Sequence, residues 1–182
     1  SFESYPSCTG IACAHLIPVP LKDDETHDLS SMMDALTPET RVIFICSPNN
    51  PTGQVVDRDD LEDFISQVPV EVVIVLDEAY IEYVSQEKRI DSLRMYREHE
   101  NVVILRTFSK AYGLAGLRVG FSISQEPITQ ALRKTAMPFG VSSLAQAAAI
   151  ASISAEPELL ERVASVVAER ERVFRALNEG GY

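Results

Sequence analysis

Positive charge, cysteine, histidine and long hydrophobic runs are all scarce in this 182-residue chain. Sixteen Lys and Arg stand against 27 Asp and Glu, for a net charge of −11. That balance argues against a nucleic-acid groove or an anionic membrane face, both of which need clustered cations. It leaves room for an anionic small molecule, because a local Arg pocket can sit within an acidic surface. Cys8, Cys13 and Cys46 are odd in number and lack a C-x-x-C spacing. They read as inert cytosolic thiols, not as a disulfide framework or a metal site. His15, His27 and His99 are scattered without ligand spacing, so no metal is expected. No stretch approaches the roughly 20 apolar residues of a membrane span. No signal-peptide pattern opens the sequence as given, and a cytoplasmic setting is the expectation. Internal repeats and low-complexity linkers are absent as well.

What is present is the composition of a globular domain. The chain is 46% hydrophobic and 24% charged, and its length suits about one domain with a sizeable core. Short, continuous apolar runs at 41–46, 72–76, 102–105 and 119–123 read as buried strands. Residues 15–21 read as a further strand, placed near an edge by Pro18 and Pro20. Residues 7–14 are weak helix material because of Cys8, Thr9 and Gly10. Leu29, Met32, Met33 and Leu36 recur at helical spacing behind Asp28 as cap. Asp57 caps a second amphipathic helix with Leu61, Phe64 and Ile65 inward, and a short helix is expected at 92–97. Further helices are predicted at 126–134, with Pro127 in its first turn, and over the Ala-rich stretch 142–153. From Pro157, apolar residues from Leu159 to Leu177 hold a helical period until Gly180 and Gly181.

Continuous apolar strands alternating with amphipathic helices predict an α/β fold, with a mostly parallel sheet covered by helices on both faces. Ligands of such sheets bind outside the carboxyl ends of the strands. Asn50, Asp77 and Lys110 each follow a strand end, which points to one shared site. The densest chemistry lies between Thr107 and Gly120. Two hydroxyls, Thr107 and Ser109, precede Lys110, and Arg118 follows a glycine-broken turn. A lysine at the mouth of a sheet is a candidate amine nucleophile, since desolvation would lower its pKa. Gly113 and Gly116 let the backbone fold back, so that Arg118 and the hydroxyls could share one anion. Taken alone, the same residues would make an ordinary surface turn.

Three blocks together go further: Ser47-Pro48-Asn49-Asn50-Pro51-Thr52-Gly53, Asp77-Glu78-Ala79-Tyr80, and the Thr107 to Gly120 stretch. In this order and spacing the chain resembles the pyridoxal-phosphate aminotransferases of the aspartate-aminotransferase fold. Within them it is most similar to histidinol-phosphate aminotransferases and their aromatic-aminotransferase relatives. The resemblance covers all 182 residues but only the middle of a family member, so an internal fragment is expected. Residues 1–155 would be part of the large cofactor-binding domain, and residues 156–182 a long helix leading towards a small domain.

The resemblance implies a role for each matched residue. Lys110 would carry the cofactor and then move a proton at the substrate. Asp77 would keep the pyridine nitrogen protonated, and Tyr80 and Asn50 would donate to the ring oxygen. Arg118, Ser109 and Thr107 would hold the phosphate. Read without the resemblance, Asn50 is a turn residue before Pro51. Phe2 would stack on the pyridine ring, or else pack as a core Phe beside Tyr5. Tyr112 is expected in the core, and Glu78 as structural or exposed. The implied reaction is amino transfer between a donor such as glutamate and histidinol phosphate. The alternatives are an aromatic amino acid aminotransferase, a decarboxylase or lyase, or a PLP-sensing regulator domain. The partners implied are small amino and oxo acids, with a homodimer for the full-length protein.

Overall fold

The β-branched runs pair as their hydrophobicity predicts. In the computed structural model, which describes residues 1–181, β1 (Val42–Cys46), β2 (Val73–Asp77), β3 (Val102–Thr107) and β4 (Gly120–Ile123) form one sheet in that order. β1, β2 and β3 are parallel, and β4 returns antiparallel beside β3. Ile43, Ile74 and Val102 lie side by side, as do Ile45, Leu76 and Ile104. Because side chains alternate along a strand, these six point to one face.

Three helices cover that face: α2 (Leu29–Asp34), α3 (Arg58–Gln67) and α4 (Ser92–Glu98). Leu29, Leu61, Phe64, Ile65 and Met95 from these helices close one cluster with Ile43, Ile45, Ile74 and Leu76. The caps form as the sequence predicts. The Asp28 carboxylate accepts from Ser31 N–H at 3.0 Å, and that of Asp57 from Asp59 N–H at 2.8 Å. The opposite face carries Phe44, which stacks on Tyr5 of α1 (Ser4–Ile11) with ring centroids 4.9 Å apart. α5 (Glu126–Thr135), α6 (Ser143–Ser154) and α7 (Glu156–Glu179) complete the chain. Ala145 and Ala149 of α6 pack on Phe108, while Leu159 and Val163 of α7 pack on Ala111. Both helices therefore brace the loop that carries Lys110.

The structure corrects two expectations. Residues 15–21 form no strand: Pro18 and Pro20 remove N–H donors that a ladder needs, and the residues stay largely exposed. α1 begins earlier than predicted, at Ser4. Thr9 Oγ1 donates to Tyr5 O at 2.8 Å and stabilises a turn that Gly10 would otherwise weaken. No helix among the described residues is long and apolar enough to cross a membrane.

His27 ties the 22–27 turn to the sheet, its Nε2–H donating to Cys46 O at 2.9 Å. Burial, the largest cause, lowers its pKa from 6.5, against the smaller opposing pull of the Cys46 carbonyl. Below pH 6.5 the unfolded chain therefore binds a proton that the folded chain lacks. Stability from this group is present above that pH and is lost as pH falls through the folded-state value. His27→Gln should flatten the urea midpoint's dependence on pH between about 7 and about 5. An unaltered slope would remove His27 from the account.

At the β3–β4 edge, a Cβ on Gly120 would lie 2.8 Å from the Arg106 carbonyl oxygen. Gly120→Ala should cost about 1–3 kcal/mol by urea denaturation, as overpacking does. Gly116→Ala, whose added Cβ would meet nothing within 4 Å, should change stability by less than about 0.5 kcal/mol. Equal effects at the two positions would contradict the close approach.

Candidate active site

β1 runs out into a tight turn whose backbone is nearly saturated. Asn49 N–H donates to Gln54 O at 2.8 Å, and Gly53 N–H to Asn49 O at 2.7 Å, with Gly53 at φ +77°. The Asn49 side chain is buried, donating to Thr52 Oγ1 at 2.9 Å and accepting from Ser1 Oγ at 2.7 Å. Asn49 thus builds the turn. Asn50, its half-buried neighbour, lines the open cleft together with Asn49.

At the end of β2, two consecutive carboxylates take opposite faces. Asp77 is half-buried, and its Oδ2 accepts from Tyr5 Oη at 2.7 Å while Oδ1 accepts from Ala79 N–H at 3.1 Å. Burial first, then Cys46 and the negative charge of Asp77, raise the Tyr5 phenol far above its ordinary value. It therefore remains a donor to Asp77 at any working pH. Tyr5 was missed as a site residue because nothing local connects it with a position 72 residues away. No pattern in the sequence around either residue signals the contact. Phe2 is 40% exposed and edge-on to Tyr5 at 5.9 Å, so the core reading of Phe2 does not hold. Glu78, in contrast, is 4% exposed and paired with Arg106.

Tyr80 follows on the same turn, and Lys110 Nζ stands 5.0 Å from the centre of its ring, within cation–π range. Lys110 is exposed, so the expected desolvation of its amine is not in place in this chain. Ser109 N–H donates to Thr107 Oγ1 at 3.0 Å, which leaves the Thr107 hydroxyl proton free to donate elsewhere. Arg118 has φ 53° and ψ 53°, a left-handed conformation uncommon outside glycine. Its Nη1 donates to Ala115 O at 2.7 Å. Phe108 N–H donates to Val119 O at 3.2 Å, and this return of the backbone brings Arg118 alongside the lysine loop. Tyr112, half-buried, packs on Phe108 at 4.8 Å against the core and away from the cleft that holds Lys110.

An open cleft of about 1650 Å³ gathers Asn50, Tyr80, Ser109 and Lys110 on its wall. Asp77, Phe2 and Tyr5 form a second group on the sheet face, and Thr107 and Arg118 flank the lysine loop. The donor set comprises a fixed carboxylate, an amine, a phenol and an amide, with a guanidinium and two hydroxyls. It complements a flat molecule bearing a basic ring nitrogen, an electrophilic carbonyl and an anionic group. Pyridoxal phosphate has all three, so the residues present fit it.

The family description "Aminotransferase class I and II" matches residues 1–182, and the chain belongs to that family. It is 57% identical to the "Aromatic amino acid aminotransferase" of Streptomyces avermitilis, and 58% identical to that of Streptomyces coelicolor. Each match covers all of this chain and 51% of the relative, so the chain spans about half the length of the curated relatives it matches. Among solved structures, the backbone is similar to a histidinol-phosphate aminotransferase from Sinorhizobium meliloti in complex with pyridoxal-5'-phosphate. There the TM-score is 0.90 at 30% identity, over 99% of this chain and 49% of that one.

Tyr5→Phe should lower stability by about 1–3 kcal/mol at neutral pH, because it leaves the half-buried Asp77 Oδ2 without its donor. A urea midpoint equal to that of the parent chain would show that the phenol is not holding the carboxylate.

Proposed function

We propose that the whole protein carrying this chain is a pyridoxal-phosphate-dependent aminotransferase. It exchanges amino groups between aromatic amino acids and 2-oxo acids, with glutamate and 2-oxoglutarate as the second pair. The observation that carries the reading is the single cleft wall formed by Asn50, Tyr80, Ser109 and Lys110, with Asp77 held beside it by the Tyr5 phenol and the Ala79 N–H. The aromatic substrate class is supported by the 57–58% identity to the two Streptomyces aromatic amino acid aminotransferases, against 30% to the Sinorhizobium meliloti histidinol-phosphate enzyme. Histidinol phosphate is the second reading, favoured by the close backbone likeness to the Sinorhizobium meliloti enzyme. Residues 1–155 would form part of the cofactor domain, with α7 leading towards a small domain. A cytoplasmic homodimer acting on small amino and oxo acids completes the proposal.

Pyridoxal phosphate, when bound, supplies an electron-withdrawing ring that delocalises the electron pair left at a substrate's Cα. This chain's own residues then divide the work. Asp77 would hold a proton on the ring nitrogen, since opposite charges favour each other's ionised forms. Tyr5, as a permanent donor, keeps that carboxylate turned towards its work. Tyr80 and Asn50 would donate to the ring oxygen, and Arg118, Ser109 and Thr107 would bind the phosphate. Phe2 offers an exposed ring for stacking on the flat cofactor. Lys110 would anchor the cofactor and, once released, carry a proton to and from Cα.

Borohydride reduction of the full-length, cofactor-loaded protein should fix a pyridoxyl group on Lys110, read by peptide mapping. Label on Lys134 instead, or on no lysine, would overturn the assignment. A panel of phenylalanine, tyrosine and histidinol phosphate with 2-oxoglutarate should show the highest kcat/KM for an aromatic amino acid. A preference for histidinol phosphate would select the second reading. Stoichiometric release of carbon dioxide would make the protein a decarboxylase of the same fold, and cofactor binding without turnover a sensor.

A further inference from the structure

The buried carboxylate beside Asp77 is not used by the chemistry above, yet it is the most enclosed carboxylate near the site. Glu78 is 4% exposed, and its Oε2 accepts from Arg106 Nε at 2.6 Å. Ser92, at the start of α4 and 1% exposed, is a further polar neighbour that favours the ionised carboxylate. Arg89 and Glu82 are the other charged groups that act on it. Arg89 is directed at the turn, with its Nη2 donating to the carbonyls of Ile81, Glu82 and Val84 at 3.2–3.4 Å. The backbone joins the same two strands, since Glu78 N–H donates to Leu105 O at 3.0 Å.

Each member of the pair sits beside one half of the site. Glu78 lies between Asp77 and Tyr80, on the turn that presents both. Arg106 is near the end of β3, the strand that leads into Ser109 and Lys110. Gly120 of β4 closes on Arg106 from the other side, at a distance that admits no side chain. A buried ion pair adds little net stability over an apolar pair of similar volume, because desolving both charges offsets their attraction. What such a pair supplies is geometry. Glu78 is buried only with the half-buried Arg106 guanidinium against it, and that contact ties the β2 turn to β3.

We infer that Glu78 and Arg106 are a positioning pair that sets where Asp77 and Tyr80 stand relative to Lys110. The inference rests on the cofactor reading above. A carboxylate or amine displaced by about 1 Å from its working position can cost on the order of 100-fold in rate. The pair therefore acts on turnover without touching substrate or cofactor. It also acts on how strongly Asp77 is felt by whatever occupies the site.

The test uses the full-length, cofactor-loaded protein and the variants Glu78→Gln, Arg106→Met and the double variant. Each single variant should remain folded and lower kcat by about 10- to 100-fold, with KM changed much less. Each should also shift the pH at which the bound cofactor's visible absorbance changes. The double variant should be no worse than the poorer single one, since coupled partners are not additive. Arg172→Gln, which breaks an exposed pair with Glu169 on α7, should move neither quantity. Folded variants with lower thermal stability but unchanged kcat and absorbance titration would overturn the inference and leave a structural ion pair. If Glu78→Gln fails to fold, Arg106→Lys carries the same expectation, because it keeps the charge but loses the Nε contact. An unchanged titration there overturns the inference equally. Borohydride label on Lys110 in the parent separates the two claims: its absence defeats the cofactor reading, whereas its presence with unmoved variants defeats only the positioning role.

Discussion

In-register parallel pairing of β1, β2 and β3 is the constraint on which the rest of this structure depends. Cys46 lies beside Asp77, and Asp77 beside Leu105, so the strands reach the same edge of the sheet almost level. Parallel strands require a crossover between them, and α3 and α4 supply those crossovers on the face they also cover. The chain therefore leaves the sheet repeatedly on one side. Asn50, Tyr80, Ser109 and Lys110 meet in one cleft for that reason, although they are far apart in sequence. β4 departs from the pattern by running antiparallel, and that reversal returns Arg118 to the lysine loop.

The strand end also gives two adjacent carboxylates different work. Alternation sends Asp77 to the half-open face, where a neutral phenol and one backbone N–H hold it. It sends Glu78 to the closed face, where only a cation makes burial tolerable. Burial raises the Glu78 pKa, against the opposing pull of Arg106 and Ser92. The half-open carboxylate keeps room for a partner that the chain does not itself supply. The enclosed one has no such room and can act only through the strands it joins.

Much of this was readable from residue types and spacing, and the failures are informative. Strands such as Ile43 to Cys46 declare themselves because both faces are apolar, and Asp28 and Asp57 announce helix starts by chemistry that is purely local. The three motif blocks placed Asn50, Asp77 and Lys110 at strand ends. Residues 15–21 misled because Pro18 and Pro20 were read as marking an edge strand, whereas their missing donors leave no strand there. The Tyr5 contact with Asp77 was invisible, since it arises from where a helix docks and not from any pattern around either residue. Lys110 was expected to be desolvated on the strength of its apolar neighbours in sequence. Ala111 and Tyr112 do turn into the core, but the lysine between the cleft and that core stays exposed.

The central claim is that the carboxylate at the end of β2 works with the lysine at the end of β3. Asp77→Asn in the full-length protein tests it most directly, because the two side chains are nearly equal in size. Cofactor should still bind, and turnover of the amino donor should fall on the order of 100-fold or more, as when one preorganised charged contact is lost. Turnover within about threefold of the parent, roughly 0.7 kcal/mol in the barrier, would contradict the claim.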